Sequence, residues 1–283
     1  MTFAVRLARV PATVIALGLL FAAIAPAAMA TYQPFTLAPG IGPSIRRSGE
    51  LFVPTIETQY QEPLGTVIAE ATVRSFALLA GVAVFSLFVG VLVGITAALL
   101  RRRAVSSGVV LGATSVIAAV PSFFLAYFLQ ILFIFIGGAT GHTILPVFGF
   151  GLDGHLVLPL LALSAPAVAT TAQLTAVRMG EVFDADFITT ANAKGLLPSW
   201  IIKVHVLPHV LPVSLEAVAS GLRVAVASLP IVEYILLWNG IGFVALQAIA
   251  LRDPAALTAC AVVLGALFAL TSLLLDLRRT RFH

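Results

Sequence analysis

Residues 178–212 read RMGEVFDADFITTANAKGLLPSWIIKVHVLPHVLP, the one long polar interruption between strongly apolar runs. Acids come early (Glu181, Asp184, Asp186), helix-forming residues follow, and Lys194 and Gly195 close the pattern. Asp184 or Asp186 can cap a first turn, whose free backbone N–H groups favour negative charge. Lys194 in the last turn and Gly195 just beyond it suit a C-terminus. The marks at both ends predict a helix over residues 183–194. Phe183, Phe187 and Ala191 recur every four residues and so share one face of it. Thr189, Thr190, Asn192 and Ala193 are small, which lets another protein surface approach the backbone closely. With too few apolar residues to span a bilayer, the helix is expected to lie at the membrane surface or to plug into a groove on a partner.

What surrounds this stretch is overwhelmingly apolar. The chain has 283 residues, 60% of them hydrophobic and only 10% charged, with a mean hydropathy of +1.09. A soluble domain carries roughly 25% charged residues. The class is therefore an all-α polytopic membrane protein, because helices satisfy their own backbone groups inside a bilayer. The formal charge of +4 raises nucleic acid as a partner, but the sixteen basic residues sit mainly in short polar breaks between apolar runs. They report membrane orientation, and nucleic acid is excluded. The single cysteine, Cys260, lies inside an apolar run, which leaves no internal disulfide and no cysteine metal cluster.

Working outward, six spans can be placed. Residues 10–30 carry no charge and are long enough to cross a hydrocarbon core about 30 Å thick. The run ends Ala28-Met29-Ala30, so a cleaved leader competes, but a leader's apolar core is normally about 7–15 residues. A retained first span is the expectation, followed by an extracytoplasmic segment 31–69 rich in Pro and Gly. The core, 70–283, holds five more spans. The second is expected over 75–100, stopped by Arg101-Arg102-Arg103. Residues 104–152 hold no acid, lysine or arginine and divide near Gly137-Gly138, giving a third span kinked by Pro121. The fourth runs 155–177, the fifth about 213–238, and the sixth 254–275. Eleven basic residues then fall on the cytoplasmic side and four outside, with Arg223 inside a span, in keeping with the positive-inside rule. Both termini and the 178–212 loop are placed in the cytoplasm.

No phosphate-cradling loop can be built, because neither Lys194 nor Lys203 follows a glycine. ATP-driven work would need a separate ATPase. His205 and His209 are four apart, a spacing that suits one metal on a helix, but no glutamate follows His205 and Pro208 interrupts the helix. A metal is not expected, and His205 reads as a loop residue orienting the chain into the fifth span. Glu216, Arg223 and Glu233 are costly in a membrane unless they face the bundle interior, a partner or water. With the helix break at Pro121, they are the candidates for a translocation path or gate. Glu216 and Arg223 are seven apart on one face, and Glu233, near the outer end, is read as an anchor before a substrate contact.

The loop resembles the cytoplasmic coupling loop of ABC importer permeases. That signature has an acidic-Ala-Ala start, here Thr189, Thr190 and Ala191, a glycine four residues on, here Gly195, and an Ile-x-Leu-Pro ending, here His205 to Pro208. Thr190 to Leu196, His205, Leu211 and Pro212 are similar to the dipeptide, oligopeptide and nickel branch, which usually has a polar or basic residue where Pro208 stands. Pro121-Ser122-Phe123, Leu145-Pro146 and Arg252-Asp253 also resemble it, as does the run Glu233, Tyr234, Asn239, Gly240, Ile241, Gly242, with Asn239 in place of a proline. The resemblance implies six transmembrane helices in the type I importer arrangement and no cofactor in this chain, ATP and Mg being bound by the partner ATPase. It implies a second homologous permease, two cytoplasmic ATPases and an extracytoplasmic substrate-binding protein as partners. The ATPase would be met through Phe183, Asp186, Phe187, Thr190, Ala191, Ala193, Lys194, Gly195, His205, Leu207 and Pro208. Di- and oligopeptides are the expected cargo, with nickel or another small solute as the alternative. A membrane metalloenzyme using His205 and His209, or a non-transporting scaffold, are the rivals from other classes.

Overall fold

The computed structural model describes residues 55–102 and 104–279. The expected first span at 10–30, its alternative reading as a leader, the outer segment before residue 55 and the end of the basic tail lie outside the described residues. The described elements are α1 (Ile56–Tyr60), α2 (Leu64–Leu99), α3 (Ala104–Ala119), α4 (Ser122–Thr140), α5 (Val157–Phe183), α6 (Asp186–Ala193), α7 (Pro198–Ile201), α8 (Leu207–Leu236), α9 (Ile241–Leu251) and α10 (Pro254–Arg279). Among the described residues five helical stretches are long and apolar enough to cross a membrane: those of α2, α4, α5, α7 running into α8, and α10.

Three of these pack with unusually close backbones. Between helices in lipid there is little hydrophobic driving force, so small residues that permit intimate van der Waals contact do the work. A Cβ at Gly90 would lie 2.6 Å from Thr171 Cβ, and one at Gly94 2.5 Å from Thr175 Cβ, which fixes α2 against α5. Gly221 sits against the backbone of Ala167 and brings α8 equally near to α5. A buried hydroxyl pair, Thr175 with Ser214 at 2.7 Å, joins the same two helices. Above this seam Leu78, Val82, Leu163, Leu229, Val232 and Trp238 fill the outer half of the core.

Several boundaries differ from expectation. α2 starts at Leu64, eleven residues before the expected Ser75, because Glu70 and Arg74 pair across one helical turn. At 36 residues it is about 54 Å long, well beyond the hydrocarbon thickness. Pro121 does more than kink one helix. α3 ends at Ala119 and Pro121 becomes the N-terminal flank of α4, its carbonyl accepting the N–H groups of Phe124 and Leu125 at 3.0 and 3.1 Å. The Ile117 carbonyl, four residues before Pro121, accepts Val120 N–H at 3.3 Å.

The fifth span is likewise longer than the expected 213–238. Residues 202–206 form one wide π turn in which Leu207 N–H reaches back to the Ile202 carbonyl. The extra residue makes room for Pro208 in the first turn of α8, so His205 is helical and not a loop residue. The connection between the expected fifth and sixth spans contains the eleven-residue helix α9.

Candidate functional site: an inner docking helix and an outer clamp

α6 spans eight residues, shorter than the expected 183–194. Its N-terminal flank is Ala185 and makes no side-chain cap, so Asp186 acts only through its charge in the first turn. Its C-terminus closes as a Schellman motif: Leu196 N–H meets the Ala191 carbonyl at 3.3 Å and Gly195 N–H meets that of Asn192 at 2.9 Å. Gly195 has φ +71°, the left-handed conformation that this closure demands.

Ile188 and Ala191 are buried in one cluster with Ala98 of α2, Met179 and Val182 of α5, Ile201 of α7, and Val206 and Val210. A short helix is thus seated on the inner ends of three spans, while Thr189, Thr190, Asn192, Ala193 and Lys194 remain exposed. The expected aromatic stripe is divided. Phe183 ends α5, partly buried against the cluster, and Ala191 points inward. Phe187 alone of the three is outward, 45% exposed, with its ring 5.6 Å from that of His209. Leu207 and His205 are half-buried and Pro208 is exposed. Among the described residues no three His, Cys, Asp or Glu side chains gather as a metal would need.

Arg101, read from sequence only as a marker of topology, belongs to this site. Its guanidinium pairs with Asp184 at 3.0 Å, donates to the Gly180 carbonyl at 3.1 Å, and lies 5.2 Å from the centroid of the Phe183 ring. It ties the inner end of α2 to the inner end of α5 just before α6 begins. Leu197 and Trp200, 71% and 54% exposed beside α6, were also missed. The signal for them was two large apolar residues flanking Pro198 and Ser199 just after the Gly195 helix stop.

At the opposite end Glu233 is fully buried. Its carboxylate accepts the Ser75 hydroxyl at 2.5 Å and the N–H groups of Gly242 and Phe243 at 2.8 and 3.1 Å. Ser75 Oγ in turn accepts Ile241 N–H at 2.8 Å. The first amides of α9, orphans of any helix start, are therefore satisfied by two side chains from α2 and α8. Negative charge is also favoured at that end of a helix. Gly240 and Gly242 are required by proximity: a Cβ at either would collide, with Glu233 and Ser75 at the first and with Pro230 at the second. Arg74 donates to the Asn239 carbonyl at 3.3 Å and covers the Phe150 ring, which meets Trp238 edge-on at 4.8 Å. Asp253 caps α10 through Ala256 N–H and holds α1 through Ile56 N–H.

Of the four candidates for the path, Glu233 thus has its carboxylate committed to the backbone of α9. Pro121 is exposed at the break between α3 and α4, and Glu216 and Arg223 are half-buried on α8. Glu216 and Arg223 do not lie on the face that α8 packs inward.

An all-helical subunit with several membrane spans, carrying a short helix docked across their inner ends, is the class of protein these features define. The sequence profile of the binding-protein-dependent transport system inner membrane component family matches residues 90–283, and the chain belongs to that family. It is a multi-pass protein of the bacterial inner membrane and the permease part of an ABC importer. A Brucella abortus protein named as the permease of a peptide transport system is 28% identical over 224 residues, covering 77% of this chain and 70% of its own. The Escherichia coli oligopeptide transport system permease protein OppB is 28% identical over 214 residues, 71% of this chain and 65% of its own. The di/tripeptide transport system permease protein DppB of Pseudomonas aeruginosa is 33% identical over 93 residues, 33% of this chain and 28% of its own.

Proposed function

We propose that the protein is the permease of a peptide importer and that α6 is the element through which a cytoplasmic ATPase drives it. The single supporting observation is the seating of α6. Ile188 and Ala191 bind it to the inner ends of α2, α5 and α8, while its other side is open to a second protein. Exposed Phe187, Ala193 and Lys194, with Leu197 and Trp200 beside them, form the surface offered. The names of the relatives support peptides as cargo.

In this reading two ATPases bind ATP and Mg, a second permease completes the path, and an extracytoplasmic binding protein delivers the peptide. Closure of the ATPase pair displaces α6, and the spans joined to it follow. Such a displacement shifts the equilibrium only by the difference in contact energy between the two states. The chain itself is a transport subunit, with hydrolysis carried out by its partners.

Uptake of labelled di- and oligopeptides and of nickel, by wild type and by Gly195→Val, tests both parts. A β-branched residue at φ +71° costs about 1–3 kcal/mol and undoes the Schellman closure. No atom near Gly195 would clash with the new side chain, so the fold is retained. Peptide uptake should fall to background with normal membrane insertion. Normal uptake by the variant refutes the role of α6, and uptake of nickel without peptide refutes the cargo.

A further inference from the structure

The bundle presents two kinds of surface at membrane depth. Along α2 and α4 the outward side chains are large and apolar, Phe88, Leu92, Phe128 and Phe135 among them, as a face against lipid requires. α8 is different. Glu216, Ser220, Arg223, Ala227 and Tyr234 follow at intervals of four, three, four and seven, which places all five on one side of the helix. None is buried. That side is opposite Val218, Ala225, Leu229, Val232 and Leu236, which α8 turns into the core.

Arg223 stands within two residues of the midpoint of α8, about 20 Å from the nearer helix end. Its head cannot reach the lipid headgroups by extending along the helix. Its Nε is buried and has no hydrogen-bond partner. A guanidinium offers donors in a planar fork that matches a carboxylate with two parallel hydrogen bonds. At this depth such a group needs water, a partner or an anion.

We propose that this side of α8 lines the translocation path and that Arg223 receives the carboxylate of the passing substrate. The inference rests on the peptide reading above and adds which part of the peptide the path recognises. A C-terminal carboxylate is the anion that every free peptide brings.

The test uses the assembled transporter, with its second permease, ATPases and binding protein, in proteoliposomes supplied with ATP. The quantity read is the ratio of trialanine uptake to trialanine-amide uptake, divided by the same ratio for affinity of the isolated binding protein. Arg223→Gln should lower that quotient at least tenfold, Arg223→Lys should keep most of it, and Phe135→Leu, on the outward apolar face of α4, should leave it unchanged. A quotient unaltered in Arg223→Gln overturns the proposal. So does loss of the second permease from the purified Arg223→Gln complex, which would assign Arg223 to the interface between permeases. A wild type that moves neither peptide overturns the peptide reading and this inference with it.

Discussion

Truncation of Glu233 to alanine strands two backbone donors, Gly242 N–H and Phe243 N–H, in a site closed to solvent. Each unpaired buried donor costs about 1–3 kcal/mol, so the two together cost about 2–6 kcal/mol. Water entering the vacated space would return part of this, which puts the expected loss near the middle of the range, about 3–4 kcal/mol. Glu233→Gln keeps one oxygen facing both amides, and its new NH₂ group meets Ser75 Oγ, whose second lone pair is available. Its cost should stay below about 1 kcal/mol. Thermal unfolding of the detergent-purified protein, followed by tryptophan fluorescence, measures both, since fully buried Trp238 lies beside the clamp. Glu233→Ala should unfold well below wild type and Glu233→Gln close to it. Equal midpoints for wild type and Glu233→Ala would refute the clamp. Equal losses for the two variants would refute the assignment of its strength to hydrogen bonds on α9.

Gly94→Leu should force α2 from α5, since even a Cβ there would lie 2.5 Å from Thr175 Cβ and 2.7 Å from the Ala172 carbonyl. Little folded protein is expected from detergent extraction, whereas Gly108→Leu on α3, with nothing within 4 Å, should extract like wild type. Arg101→Ala should change global stability by less than about 1 kcal/mol, because its pair with Asp184 is half-open to water. Amide exchange over residues 184–193 should nevertheless quicken, as the tie from α2 to the start of α6 is gone; unchanged exchange would exclude that role.

Among the described residues the five later spans and their order could be read from uncharged run lengths, and the end of α6 from Gly195, because only glycine readily takes the conformation that stops a helix in this way. The edges were harder. Glu70 and Arg74 look like loop residues until it is seen that they neutralise each other within one turn of α2. Pro208 looks like a helix breaker, and only the π turn at 202–206 makes room for it. α9 is too short for a span and begins beside two glycines, which read as a turn; its start depends on Ser75 and Glu233, more than 150 residues apart. Arg101 shows the same limit. A run of three arginines announces which side of the membrane it is on, but not that one of them reaches Asp184.

The glycine contacts that lock α2, α5 and α8 leave those helices little freedom to slide past one another. α8 is about 45 Å long, with Pro212 and Pro230 inside it, and a helix of that length turning about a central fulcrum moves its two tips in opposite directions. The close backbone approach of Gly221 to Ala167 falls at the middle of α8. A nudge delivered in the cytoplasm would therefore emerge as an opposite swing of α9 on the far side of the membrane.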